Sequence, residues 1–240
     1  MGCSLKIPVK AMGHKLLALF LVVSLLLGCA QHYQWTSSHY AYKAAPRDEL
    51  AVAGVDKAFV LVRSAWFAKK LGISPDSIQI KVTAECSRLL NEELKKRYVK
   101  LKYIPSATMD KLPEESLKLD QRIFIKGRFP EQGVAMKDNQ GNVPNQILII
   151  HEILLGTDLN RENYFDYALI HNESSEKKTS KNLTAIVSYT LWDNAKQRPL
   201  FSAVDQVEKP IVKISLGDIQ ELVSQIATQI QRDLDEGVVP

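Results

Sequence analysis

LTAIVSYTLWDNAKQRPLFSAVDQV, residues 183–207, is the stretch on which the fold turns. Leu183, Ala185, Val187, Tyr189 and Leu191 fall on one side of an extended chain, and Thr184, Ser188 and Thr190 fall on the other, joined by Ile186 and Trp192. A period of two over ten residues predicts a strand with one dry and one wetter face. Asp193-Asn194-Ala195-Lys196 is turn chemistry, so Leu200 to Val207 is expected to return as the hairpin partner. A sheet wetted on one face carries its helices on the other.

Outward from the hairpin, Ile147 to Leu155 is apolar apart from His151 and Glu152 and predicts an interior strand. After the hairpin, Ile219, Leu222, Val223, Ile226, Ile230 and Leu234 share one helical face, with Ser215 or Asp218 as cap and Gly237 and Pro240 closing. Before it, Ser74 and Pro75 open a helix whose apolar stripe is Ile78, Val82, Cys86, Leu89, Leu90 and Leu94. Lys81–Glu85 and Glu92–Lys96 are spaced to pair on its outer face. The basic cluster Lys95-Lys96-Arg97 complements the helix dipole. Ala58 to Val62 and Val99 to Ile104 predict shorter strands. Leu112-Pro113-Glu114-Glu115 begins like a helix running to about Lys126, and Gly127 to Asn145 reads as a loop. Asn172 to Asn182 is polar and lysine-rich, a solvent-facing loop. The expected fold is a single α/β (α+β) domain over 51–240: a two-layer sandwich, its mixed sheet carrying helices mainly on one face.

Tyr189-Thr190-Leu191-Trp192-Asp193 followed by Pro199-Leu200-Phe201-Ser202 and a closing amphipathic helix resembles a group of bacterial envelope proteins. It includes the curli-secretion lipoprotein, penicillin-binding-protein activator lipoproteins, the amino-terminal domain of the Tol-system propeller protein and auxiliary lipoproteins of ABC transporters. The turn Asn194 to Pro199 departs from the group's usual glycine, and no site residue transfers by position. The resemblance implies a binding or assembly role in envelope machinery rather than catalysis.

The amino terminus gives an address. Lys10, His14 and Lys15 precede an apolar run, Leu16 to Leu27, broken only by Ser24, and Leu26-Leu27-Gly28-Cys29-Ala30 follows. Twelve helical residues rise about 18 Å, short of a hydrocarbon core of about 30 Å, so a cleaved signal fits better than a span. Leu-Leu-Gly-Cys resembles the lipobox of bacterial lipoproteins. That implies a signal peptide over 1–28, cleavage between Gly28 and Cys29, and diacylglycerol and acyl chains such as palmitate on Cys29. Ala30 resembles an outer-membrane sorting residue, since Asp there commonly retains lipoproteins at the inner membrane. Met12 is an alternative start. Residues 29–50 read as a tether rich in Tyr33, Trp35, Tyr40 and Tyr42, a strip that packs on its own domain, sits at lipid headgroups or binds a partner.

Composition agrees with that address. The chain has 240 residues, 45% hydrophobic and 24% charged, as in an ordinary globular protein. Its 31 basic residues exceed 27 acidic ones, but Lys6, Lys10 and Lys15 belong to the signal, which leaves 28 against 27. Nothing in that balance suggests a nucleic-acid partner. Of three cysteines, Cys3 is removed and Cys29 acylated, so Cys86 stands alone as a small core residue.

Motifs of chemistry are sparse. His151-Glu152 begins like a zincin motif, but Leu155 occupies the second ligand's place, and alternation along a strand separates the two side chains. His171 adjoins the polar loop. Asp158, Glu162 and Asp166 are four apart and would line one helical face, most simply a solvated one. No nucleophile elbow, P-loop or dinucleotide fingerprint occurs, so no cofactor and no metal is indicated. Two functions follow. One is a non-enzymatic accessory lipoprotein that docks an envelope protein through Trp66, Phe67, Trp192 or a free sheet edge. The other is a ligand binder or metal-assisted hydrolase, which requires His151 and the carboxylates of Asp158 to Asp166 to converge.

Overall fold

A computed structural model describes residues 32–36, 49–98, 100–118, 124–131, 133–159 and 182–236. In chain order the elements are β1 (His32–Thr36), β2 (Glu49–Ala53), α1 (Val55–Ala58), β3 (Phe59–Leu61), α2 (Ser64–Leu71), α3 (Pro75–Lys95), β4 (Lys100–Tyr103) and α4 (Ser106–Met109). There follow β5 (Glu114–Lys118), β6 (Phe124–Arg128), β7 (Gln146–Thr157), β8 (Asn182–Asp193), β9 (Arg198–Pro210) and α5 (Leu216–Glu236). Seven strands form a mixed sheet in the order β1-β9-β8-β7-β2-β4, with β3 sharing the edge of β7 that β2 also uses. β2 and β3 run parallel to β7, whereas β8, β9 and β1 continue antiparallel. β5 and β6 make a separate antiparallel hairpin.

The central hairpin is β8–β9, and its inward residues Leu183, Ala185, Val187, Tyr189 and Leu191 are all fully buried against α3 and α5. The helices form because their apolar stripes match the 3.6-residue turn. On α3, Ile78, Val82, Cys86, Leu90 and Leu94 are buried. Leu89, expected in that stripe, only flanks it, and Ser87 turns inward to donate to the Val55 carbonyl at 2.9 Å. The surface pairs differ from the expected ones. Arg88 takes both carboxylates, Glu85 and Glu92, each at 2.6 Å, because its forked guanidinium reaches one turn in both directions. Ser74 is the N-cap, yet its side chain makes no capping bond. α5 has a reciprocal cap instead: Asp218 accepts from the Ser215 N–H at 2.8 Å, and Ser215 Oγ accepts from the Asp218 N–H at 3.2 Å.

The opposite face is not wet. Thr184, Ser188 and Thr190 are as buried as their apolar neighbours. A second core, including Ile125, Phe129, Met136, Ile147, Ile149 and Trp192, lies beneath the β5–β6 hairpin and the segment 129–145. The helix expected from Leu112 is therefore a hairpin. Ile125, buried, and the exposed Lys126 and Arg128 follow a period of two, and that pattern overrides the helix-start signal of Pro113-Glu114-Glu115. Residues 129–131 and 133–145 have no regular structure, as their glycines and prolines require, but they are tied down. Asn194, fully buried in the β8–β9 turn, accepts from the Met136 N–H at 2.9 Å and donates to the Met136 and Pro144 carbonyls, both at 2.8 Å. Asn194→Ala leaves those three backbone groups unpaired, and a loss of about 2 kcal/mol in urea unfolding is expected.

β1 lies within the stretch assigned to the tether and adds an edge strand to β9, with His32 opposite Asp205 and Thr36 opposite Phe201. Cys86 is a fully buried free thiol, and burial pushes its pKa up to about 12. Maleimide should label Cys86 only as fast as the protein unfolds; rapid labelling of the native protein would contradict this burial.

Candidate functional site

β7 carries the irregularity from which the site is built. Its pairing with β8 slips one residue between Ile150 and Glu152, leaving His151 as a bulge. Leu148, Ile150, Ile153 and Leu155 face the helix-side core, while Ile147, Ile149 and Leu154 face the second core. The alternation thus breaks at the bulge, and His151 and Glu152, expected on opposite faces, both line one cleft on the second face. Beside the bulge, β2 stops pairing at Ala53–Ile149 and β3 resumes at Phe59–Ile153. The single turn of α1 fills the gap. Gly54 makes this possible: its φ is +86°, and a Cβ there would lie 2.2 Å from the Ile150 carbonyl oxygen. Gln79 of α3 completes the short β3, accepting from the Leu61 N–H and donating to the Phe59 carbonyl, both at 3.1 Å.

The cleft encloses about 430 Å³ between α1, α4, the β5–β6 hairpin and the bulge. Its charges are arranged in pairs. Lys57 donates to both carboxylate oxygens of Asp110, at 2.8 and 2.6 Å. Ser106 donates to Asp56, and Lys126 pairs with Glu114 at 2.7 Å. Arg128 donates to the Asp110 and Leu112 carbonyls at 2.9 and 2.8 Å, fixing α4 to the hairpin. Lys57 holds the Asp110 carboxyl below its usual range, helped by the Arg128 charge, and Lys126 does the same for Glu114.

His151 sits against this cleft with its ring locked. Nε2 is 2.9 Å from Thr190 Oγ1, which is 2.8 Å from Ser202 Oγ, and both hydroxyls are fully buried. The Phe129 ring lies 4.6 Å away, centre to centre. Nδ1 is buried without a partner among the described residues, against Gly127, where a Cβ would come within 2.2 Å of it. Burial lowers the imidazole pKa from 6.5 to about 3. A neutral ring this reluctant to take a proton is a poor general base near neutral pH. Unfolded, the ring binds its proton near pH 6.5; folded, it resists down to about pH 3. The stability this ring confers above pH 6.5 is therefore lost as pH falls, by about 3 kcal/mol at pH 4. The stability gap between the native protein and His151→Gln should shrink by that amount between pH 7 and pH 4 in urea titrations, whereas a constant gap would show the ring to be protonated when folded.

The expected constellation does not assemble. Asp158 follows the far end of β7, where it accepts from the Asn182 N–H at 3.0 Å. Seven residue steps of extended chain, or about 20 Å, separate it from His151. Glu162, Asp166 and His171 lie outside the described residues, as do Gly28, Cys29, Tyr40, Tyr42 and the loop 172–181. Tyr33 and Trp35 lie on β1, whose side chains are likewise outside the description. No group of three or more His, Cys, Asp or Glu side chains able to hold a metal occurs among the described residues. Nor do the expected docking aromatics form an exposed patch: Phe67 and Trp192 are buried, and Trp66 is half-buried with its ring edge-to-face on Phe67. Lys57, Asp110 and Arg128 were not expected at a site. Gly127 within a run of period two was the available signal, since glycine in a strand marks a close approach.

No family model and no curated protein matches the chain. Among solved structures, two crystal forms of the PelC dodecamer from Paraburkholderia phytofirmans are similar to it, at TM-scores of 0.37 and 0.36 and identities of 10% and 11%. Each alignment covers 84% of this chain and 98% or 97% of the other. A DUF330 family protein from Xanthomonas campestris aligns at TM-score 0.32 and 11% identity, over 83% of this chain and 87% of its own. At these scores the likenesses transfer neither residues nor activity to this chain.

Proposed function

We propose that this chain is a lipoprotein of the bacterial envelope, anchored in the outer membrane by acyl chains on Cys29 and facing the periplasm, where it serves an envelope complex as a non-enzymatic accessory or assembly component. The observation that carries this reading is Leu26-Leu27-Gly28-Cys29, placed directly after a twelve-residue apolar run that Lys10 and Lys15 precede. Each buried methylene adds about 0.8 kcal/mol, so two or three chains on one sulfur and one amine hold a protein durably. The charges of the His151 cleft also favour this reading, because they pair with one another and with backbone carbonyls. The hydrolase reading lacks support where it can be checked, since Asp158 stands about 20 Å along β7 from His151.

Cell fractionation on a density gradient tests the anchor. The native protein is expected with the outer membrane. Cys29→Ser is expected to accumulate as uncleaved precursor, absent from that fraction. Unchanged outer-membrane sedimentation of Cys29→Ser would contradict the proposal.

A further inference from the structure

A second cleft, of about 400 Å³, lies between β5 and the β8–β9 turn. Three consecutive β5 residues, Glu115, Ser116 and Leu117, line it, and no residue of β6 does. A strand lines a cleft with consecutive residues when it presents its edge. β5 is paired with β6 on one side, and among the described residues no strand lies on the other. The apolar part of the lining is Phe129, Pro130, Trp192 and Pro199.

Trp192 lines the cleft although only 5% of it is exposed. Glu115 and Glu131 add two exposed carboxylates that form no ion pair among the described residues, against the single positive charge of Arg198.

We infer that this cleft docks an extended, basic segment of a partner protein, which lies along the β5 edge and sets Lys or Arg side chains against Glu115 and Glu131. An extended chain supplies acceptors at the strand repeat and completes an open edge, which a compact ligand does not. The inference rests on the docking role proposed above and gives that role a place.

The test uses the full chain in detergent, labelled with 5-fluorotryptophan, whose three fluorine signals are assigned from Trp35→Phe and Trp66→Phe. The probes are acetyl-Val-Pro-Lys-Val-Lys-Val-amide and its counterpart with Glu in place of Lys. The basic peptide is expected to shift the Trp192 signal saturably and leave the other two unmoved, and the acidic one to bind at least about fivefold more weakly. Glu115→Lys with Glu131→Lys, both at exposed positions, should reverse the preference. Absence of a Trp192 shift, or an unchanged preference in the double variant, would overturn the inference. So would a photocrosslinker at Ser116 that joins this chain to itself or to a second copy. Repeating the titration with Cys29→Ser separates the two proposals, because the docking readout does not depend on the anchor.

Discussion

Gly54→Ala is expected to lower the unfolding free energy by about 4 kcal/mol. Two costs combine at this position. Its φ of +86° lies in the left-handed region, which an L side chain occupies at a cost of about 1–2 kcal/mol. The new methyl would also stand 2.2 Å from the Ile150 carbonyl oxygen, a backbone atom that cannot rotate aside. Relief requires α1 or β7 to move, and overpacking of this kind costs about 1–3 kcal/mol. Gly72→Ala provides the comparison: its φ is +67°, but open space surrounds the position, so a loss of about 1 kcal/mol is expected. Urea midpoints at unchanged slope would measure both. Equal losses would mean that the close approach of α1 to the bulge does not exist.

Tyr189→Phe is expected to cost about 3 kcal/mol, with the helix layer as the site of damage. The Tyr189 hydroxyl donates to Asp205 at 2.7 Å and also contacts the Asp233 carboxylate, beneath α5. Gln229 donates to the other Asp233 oxygen at 3.2 Å. All three acidic or phenolic side chains are 5% exposed or less, so removing the hydroxyl takes the donor from Asp205 and a polar contact from Asp233, both buried. Burial, and then the charges of Asp205 and Asp233, raise the Tyr189 pKa well above 10. The unfolded phenol ionises near pH 10, so the hydroxyl's contribution is complete below that pH and declines as pH rises further. The difference between the native protein and Tyr189→Phe should accordingly narrow above pH 10. A double-mutant cycle with Asp233→Asn would isolate the contact, and an interaction energy near zero would contradict it.

The parts of the fold written in a single uniform period were legible. β8 and α5 each hold one period for more than two turns or five residue pairs, and α3 adds Pro75 at its first position. What escaped was local or relational. Leu50-Ala51-Val52-Ala53 is short and apolar on both faces, so it carries no alternation, and β2 merged with the tether. Pro113 just before β5, followed by Glu114-Glu115, makes a helix-start pattern, and only pairing with β6 makes the segment a strand. The wetter face expected from Thr184, Ser188 and Thr190 is dry because the hairpin and Asn194 bring a cover that periodicity cannot report. The site was half visible. His151 stood out as a polar residue in an apolar strand, but its partnership with Glu152 on one face follows from a bulge, which shifts by a single residue what alternation assigns.

Those features describe a rigid domain, whereas the proposed workplace depends on one atom, the sulfur of Cys29. Intact-mass spectrometry of the protein purified from membranes tests that most directly. The expected species begins at Cys29 and is heavier than residues 29–240 by a diacylglycerol and an amide-linked acyl chain. A mass equal to the unmodified full chain, or to a processed chain carrying no lipid, would contradict the account.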